Sequence, residues 1–279
     1  MRFGRGFSLI LTAAALLLAP AWGQPQPSER GRLPHPVEPR SVQSEISPEV
    51  EVYRSLQRLS LSEDRLSACK SFAARFPGTQ LALRVMREAA ELYLLKEENR
   101  GYNPLEECSV WMESHLASPA FAWSRYRNAP SSVFVDRVET HLVYARVVAS
   151  SAYYERTGRE NPPAAYERAL RELSAILTEI EARPDVARSR PDLLEQIHFA
   201  RCWCLHGKRD VGAALRSYEW FIESFPNSDF MPAALRNAAL CMNPTTQAQR
   251  IETYNQRLLE EYPGSAEAVG LRRQLQNRN

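Results

Sequence analysis

Apolar residues recur three and four positions apart along most of the chain after Pro48. Examples are Val52, Leu56 and Leu59, and further on Leu83, Met86, Ala90 and Tyr93. This spacing places the apolar side chains on one face of an α-helix, and the strict alternation typical of β-strands is hard to find anywhere. The pattern predicts an all-α domain over residues 49–279.

Prolines, glycines and short polar runs divide this pattern into separate helices. Proline lacks an amide hydrogen and disfavours the helical conformation in the residue before it, so a helix is expected to stop near each one. The predicted helices cover residues 49–60, 62–76, 80–98, 104–117, 131–157, 162–183, 191–206, 210–225, 229–242, 245–262 and 265–277.

Three of the junctions share one phrase, namely an aromatic residue, a proline, Gly or Asn, and Ser or Thr. It reads FPGT at 76–79, FPNS at 225–228 and YPGS at 262–265. The aromatic residue is interpreted as a packing residue that closes the end of a helical hairpin. We expect a left-handed turn conformation at the third position, which is Gly78, Asn227 or Gly264. We expect the side chain at the fourth position, which is Thr79, Ser228 or Ser265, to accept hydrogen bonds from backbone amides at the start of the next helix.

The spacing of the helix-ending prolines tests whether the chain is built from repeats. These prolines are at positions 77, 119, 184, 226 and 263, which gives intervals of 42, 65, 42 and 37 residues. Such intervals are typical of helical hairpins, with the third hairpin enlarged. Stacked hairpins bury their apolar stripes only against neighbours. The sequence therefore predicts an α-α superhelix (solenoid) of about five hairpins with a C-terminal capping helix.

The N-terminal residues indicate export. Arg2 and Arg5 precede an apolar run from Phe7 to Leu18, and the small residues Ala21 and Gly23 follow it. This arrangement is typical of a secretory signal peptide, and the run is shorter than the roughly 20 residues of a membrane-spanning helix. We predict a signal peptide over 1–23, cleaved after Gly23 or alternatively after Ala21. No cysteine lies near either position, so a lipid-modified N-terminus is not predicted. The mature protein is expected to be periplasmic or secreted, with association with the outer membrane as the alternative.

The segment 24–48 that follows is rich in proline and has few large apolar side chains. Burial cannot offset the entropy lost by ordering such a segment, so we predict a disordered linker.

The best-formed hairpin, residues 198–226, resembles the tetratricopeptide repeat (TPR). Ala214, Tyr218 and Pro226 stand at the spacing of that family's small residue, aromatic residue and terminal proline, with 207–210 as the turn between the helices. The shared junction phrase is also similar to the repeats of bacterial envelope proteins, namely the outer-membrane assembly lipoprotein and the Tol-Pal-associated periplasmic coordinator. The matching structural positions are Phe76, Pro77, Ala214, Tyr218, Phe225, Pro226, Tyr262 and Pro263. The resemblance covers 191–270 well and 49–98 fairly.

This resemblance implies paired helices and a scaffold that binds a protein or peptide partner. In the family the first helix of each hairpin lines a concave groove, and aromatic side chains in such a groove can bury much of their surface against a peptide. Carried over, the groove would contain Phe199, Trp203, His206, Phe230, Ala233 and Asn237. The function expected is protein–protein interaction in the bacterial cell envelope. The alternatives are the helical scaffold of a peptidoglycan-acting envelope enzyme and a subunit of an outer-membrane assembly complex.

Five cysteines follow the predicted signal peptide. Cys202 and Cys204 are two positions apart on a helix and so point to different sides, which argues against a redox pair. An oxidising compartment would permit bridges, and stacked hairpins would allow Cys204 to reach Cys241 and Cys69 to approach Cys108. Buried free thiols are the alternative.

Charge and motifs give no indication of catalysis. The chain has 35 Lys and Arg against 33 Asp and Glu, and signal cleavage would leave 33 of each. A basic surface for nucleic acid is therefore not predicted. No Gly-rich phosphate loop, nucleophile elbow or metal-binding helix motif occurs. We expect no metal, no cofactor and no enzymatic activity.

The most unusual stretch outside the repeats is SPAFAWSRYRNAP at 118–130, with Trp111 shortly before it. Its aromatic residues are Phe121, Trp123 and Tyr126. The two interpretations left open are a docking loop and a lid over a hydrophobic end of the helices.

Overall fold

Helices dominate the computed structural model, which describes residues 47–59, 63–96, 104–155 and 162–277. These ranges contain twelve α-helices and no strand, which confirms the predicted all-α class. The helices are α1 Pro48–Gln57, α2 Glu63–Arg75, α3 Gln80–Lys96, α4 Pro104–Leu116, α5 Ser131–Glu155, α6 Pro162–Glu181, α7 Pro184–Ser189, α8 Pro191–Gly207, α9 Val211–Ser224, α10 Met231–Cys241, α11 Ala248–Glu261 and α12 Ala266–Gln276. Two 3₁₀ turns, Pro119–Phe121 and Trp123–Arg125, lie between α4 and α5.

The predicted signal peptide and nearly all of the predicted linker lie outside the described residues. Only Ser47 and Pro48 of the linker are described, and Pro48 is the first residue of α1 rather than the last residue of an extended segment. Proline is well tolerated there, because the first turn of a helix leaves its amide hydrogens unpaired in any case.

Each helix packs mainly against helices close to it in sequence. In the N-terminal part, α2 packs on α3, both α3 and α4 pack on α5, and α5 packs on α6. Helix α6 then packs on α8, and each helix from α8 to α11 packs on the next one. The last helix, α12, contacts α10 and α11. The longest helix is α5, with 25 residues, and its partner α6 has 20, in agreement with the enlarged third hairpin. This neighbour-to-neighbour order is that of a helical-repeat fold.

The buried apolar side chains form two clusters that share α8. The first cluster extends from α1 to α8, and the second extends from α8 to α12. Helix α8 contributes Leu193, Ile197 and Cys204 to the first cluster, and Phe199 and Cys202 to the second. The two faces of this one helix therefore belong to two different cores.

The shared phrase at the three junctions closes helix ends as predicted, but the turn conformation differs among them. The side-chain oxygens of Thr79 and Ser265 each accept a hydrogen bond from the amide three residues later, at 3.1 Å, and Ser228 accepts one from the Phe230 amide at 2.9 Å. Only Gly78 is left-handed, with φ of 78°. The expectation for Asn227 and Gly264 was wrong.

A different backbone hydrogen bond explains the two junctions without a left-handed residue. The amides of Ser228 and Ser265 donate to the carbonyls of Phe225 and Tyr262, both at 3.0 Å. A bond from the first to the fourth residue is that of a β-turn, whose type I form has negative φ at both central positions.

The aromatic residues of the junctions pack as interpreted. Phe76 lies 4.9 Å from Phe72 and Phe225 lies 5.0 Å from Phe221, measured between ring centres. In each case the partner is one turn earlier in the same helix. Tyr262 packs against the second cluster, while the prolines after these residues, Pro77, Pro226 and Pro263, are exposed.

The prolines at 119 and 184 begin helical segments instead of ending them. Pro119 opens the first 3₁₀ turn, and Pro184 opens the short helix α7, which the sequence pattern did not predict. Both therefore differ from the prolines at 77, 226 and 263, which follow helix ends. The intervals of 42, 65, 42 and 37 residues were counted between prolines of both kinds, so they do not measure one repeated unit.

Candidate functional site

Two of the six predicted groove residues lie in the core. Phe199 is 5% exposed, and its ring is stacked on that of Phe230 at 4.6 Å and tilted against that of Phe221 at 5.5 Å. Ala233 is 7% exposed. These two side chains pack between helices, so they cannot form the surface of a groove.

The other four predicted groove residues are partly exposed. Trp203 meets the ring of Tyr166 edge-on at 6.2 Å, and the ring of His206 lies 6.1 Å from that of Tyr218. Asn237 and Phe230 are half-buried on and beside α10. A partner-binding role for Trp203, His206, Phe230 and Asn237 remains a prediction.

The residues that carry the repeat resemblance in α9 are fully buried. Ala214 and Tyr218 have no exposed surface, and Tyr218 interacts electrostatically with the thiols of Cys202, Cys204 and Cys241. Burial raises the pKa of Tyr218 well above its ordinary value. These positions hold neighbouring hairpins together and are not available to a partner.

All five cysteines are buried and free, so the structure contains neither Cys204–Cys241 nor Cys69–Cys108 as a bridge. Burial raises the pKa of the thiol to about 12 for Cys69 and Cys204 and to about 11 for Cys202 and Cys241. It raises the pKa of Cys108 as well. Because the thiolate is the reactive form, these groups are poor nucleophiles and poor metal ligands at neutral pH.

A polar network joins α3, α5 and α8 along one side of the fold. Asp136 accepts from Arg84 Nε at 2.8 Å, and Arg87 pairs with Glu139. Glu139 also accepts from Arg190 Nη2 at 3.0 Å. The Asp136 side chain is only 8% exposed. This network fixes three helices relative to one another. Each of its charged side chains has an oppositely charged partner, so a structural role accounts for all of them.

A second polar group on α5 lacks such an explanation. Arg137 is 1% exposed, and its Nε and Nη1 atoms are buried without a hydrogen-bond partner. Three aromatic rings surround its guanidinium group, with Cζ 5.0 Å from the ring centre of Trp123, 5.2 Å from that of Tyr126 and 5.8 Å from that of Phe121. All three rings come from the 118–130 stretch.

The contacts around Arg137 show where the 118–130 stretch lies. Phe121 and Tyr126 are buried, and the Tyr126 hydroxyl donates to the Gly78 carbonyl at 3.2 Å, while Trp123 is half-buried. The stretch therefore covers Arg137 on α5, and Trp123 is its most exposed ring. The docking-loop interpretation and the lid over a hydrophobic end both stay predictions. Burial lowers the pKa of Arg137 to about 10, so the group remains charged at neutral pH.

His141, one helical turn after Arg137, completes the cluster. Its ring is stacked on Trp123 at 4.5 Å, and its Nδ1 atom is paired with Glu172 on α6. Burial lowers the pKa of His141, although the hydrogen bond to Glu172 opposes the shift. In the neutral ring Nδ1 donates to Glu172, so the buried Nε2, which has no partner, is an acceptor.

This cluster was only partly predictable from the sequence. The aromatic stretch stood out, but Arg137 and His141 look like ordinary helix residues, and Glu172 lies on another helix. The four-residue spacing of Arg137 and His141 places them on one helix face, which was the available clue.

Comparisons with family models, with curated proteins and with solved structures gave no match. Within the described ranges, no group of three or more His, Cys, Asp or Glu side chains is placed to hold a metal ion. No helix in those ranges has the length and apolar character needed to cross a bilayer.

Proposed function

We propose that the protein is an exported helical-repeat scaffold that mediates protein–protein interaction in the bacterial cell envelope. The observation that carries the proposal is the packing order, in which each helix is buried mainly by its neighbours in sequence. Such a fold presents an extended surface along its length instead of one closed pocket. The signal-peptide pattern over 1–23 and the TPR-like phrases support the compartment and the class of function.

The proposed contact surface includes the partly exposed first-helix residues Trp203 and His206 on α8 and Asn237 on α10. Aromatic and polar side chains that are half-buried in the free protein are well suited to a partner. They lose little conformational freedom on binding, and the aromatic rings can still bury apolar surface.

Export is tested by isolating the mature protein from envelope and extracellular fractions and sequencing its N-terminus. The expected first residue is Gln24, or Trp22 if cleavage follows Ala21. Recovery only from the cytoplasm, with the first 23 residues intact, would contradict the proposal.

Partner binding is tested by crosslinking in intact cells followed by mass spectrometry of the captured proteins. The variant Trp203→Ala is compared with Trp220→Ala, because Trp220 is a more exposed tryptophan on the second helix of the same hairpin. Loss of a captured envelope protein with Trp203→Ala alone, at unchanged helicity by circular dichroism, supports the surface. Equal capture by both variants and by the unmodified protein places the contact elsewhere.

A further inference from the structure

The buried guanidinium of Arg137 is costly for the fold as it stands. An arginine removed from water is normally paired, because an unpaired charge in a protein interior loses its hydration without compensation. Cation–π contact with the three rings offsets only part of this loss. The Nε and Nη1 donors have no hydrogen-bond acceptor among the described residues.

Among the described residues, no carboxylate near Arg137 is available to complete the pairing. Asp136, its neighbour in sequence, is held by Arg84 and Gln80. Glu172 on α6 is engaged by His141, and Glu179 on the same helix by Arg127. None of the ion pairs among the described residues includes Arg137.

We propose that Arg137, beneath the Trp123 ring, is a binding site for a carboxylate. The planar guanidinium presents N–H donors in the geometry that a carboxylate accepts. A singly charged anion fits better than a doubly charged one, because Glu172 already places one negative charge beside the site and His141 is neutral. The uncharged ring of His141 does not compete with Arg137 for the anion.

Trp123 is the side chain that would admit the ligand. Phe121 is fully buried and Tyr126 is tied to the Gly78 carbonyl, whereas Trp123 is half-buried and rests on His141 and Arg137. Rotation of this one ring would uncover the guanidinium while the other two rings stay in place. The site is independent of the α8–α10 surface and does not require the proposed function to hold.

The binding test follows the Nε–H resonance of Arg137 by ¹H–¹⁵N correlation spectroscopy of the full chain, assigned by its loss in Arg137→Lys. Acetate is titrated, with acetamide as the neutral analogue of the same shape and inorganic phosphate as the more highly charged oxyanion. N-acetylglutamate amide, titrated separately, shows whether an acidic side chain of a polypeptide can also enter. We expect saturable shifts with acetate, none with acetamide and weaker ones with phosphate.

The stability test separates a ligand site from a purely structural arginine. Methionine is an unbranched apolar side chain that lacks the charge, so Arg137→Met should unfold at an equal or higher temperature than the unmodified protein when no carboxylate is present. Acetate should then raise the unfolding temperature of the unmodified protein but not that of Arg137→Met. Arg188→Met, at an exposed arginine on α7, is the matched control and should respond to acetate like the unmodified protein.

Three results would overturn the proposal. The first is an Arg137 resonance that does not move with acetate. The second is a shift of equal size with acetamide, and the third is an equal acetate effect on the stability of Arg137→Met. Arg137→Lys, which keeps the charge and loses the planar fork, should bind acetate at least about tenfold more weakly, or about 1.4 kcal/mol.

Discussion

The ring of Phe199 on α8 is stacked on the ring of Phe230 at the start of α10, with centres 4.6 Å apart and planes 11° from parallel. The contact joins successive hairpins, and Phe199 also touches Tyr218 and Phe221 of α9. Three segments of the second cluster therefore meet at one side chain.

Phe199→Ala should accordingly lower the free energy of unfolding by about 3–5 kcal/mol, the usual range for a buried phenylalanine. Denaturant titration followed by circular dichroism measures this. Phe230→Ala, at the partly exposed member of the pair, should cost clearly less. A loss below that of Phe230→Ala would show that Phe199 is not the buried partner.

Gly78→Ala should be strongly destabilising, whereas Gly264→Ala should be close to neutral. At Gly78, φ is 78° and an added Cβ would lie 2.6 Å from the Ala120 carbonyl oxygen. At Gly264 an added Cβ would have no atom within 4 Å apart from those of the adjoining residues, and φ is not positive. We expect a loss of at least about 1–3 kcal/mol at Gly78, measured by thermal unfolding. Similar losses at both glycines would contradict the different turn conformations of the two junctions.

Asp136→Asn tests the network between α3 and α5. The side chain is nearly buried and accepts from Gln80 and Arg84, so loss of its charge should cost about 2 kcal/mol. Glu113→Gln is the matched control, because Glu113 forms an exposed pair with Arg168 that should contribute less than about 1 kcal/mol. Denaturant titrations at low and high salt should show a larger effect for Asp136 under both conditions.

Native thiols should be unreactive, because burial raises the pKa of all five. A chromogenic disulfide reagent at pH 8 should report almost no thiol in the folded protein and five after unfolding in denaturant. Rapid reaction of the folded protein would contradict their burial. A count of three or one after unfolding without reductant would show that one or two bridges form in the native compartment.

Glu267 should make stability depend on pH. It is 4% exposed near the start of α12, burial raises its pKa, and no other described residue donates to its carboxylate oxygens. A folded-state pKa above the unfolded one means that stability is greatest when the group is protonated and falls as pH rises through the folded pKa. Glu267→Gln should therefore stabilise the protein by about 1 kcal/mol at pH 7.

That advantage should shrink in acid, where Glu267 itself becomes protonated. Unfolding temperatures measured between neutral pH and the ordinary pKa of glutamate follow the change, with the exposed Glu260→Gln as control. An advantage that is constant over this range would mean that the gain comes from something other than charge.

The helices from α8 to α11 agree with the sequence prediction to within a few residues at each end. Proline, glycine and capping side chains act within one turn of the backbone, so their effect can be read locally. The turn at Gly78 was predictable for the same reason. Helix α7 was missed, because Pro184 is equally compatible with ending a helix and with beginning one.

The candidate sites were less predictable, because they depend on how distant segments meet. Phe199 was assigned to a groove from its position in a repeat, but whether that helix face is open depends on where Phe230 packs. The setting of Arg137 is created by rings from the 118–130 stretch and by α6, and the four-residue spacing of Arg137 and His141 indicates only that the two share a helix face. Burial of a charge without a partner is a property of the assembled fold.

Helix α8 separates two cores and belongs to both, and this has a thermodynamic consequence. Substitutions in distant clusters without shared contacts are usually additive in their effect on unfolding. A pair such as Leu83→Ala in the first cluster and Leu271→Ala in the second should show almost no coupling energy. Pairs that combine either site with Ile197 or Phe199 on α8 are where non-additivity should appear, since among the described residues α8 is the helix that contributes buried side chains to both cores.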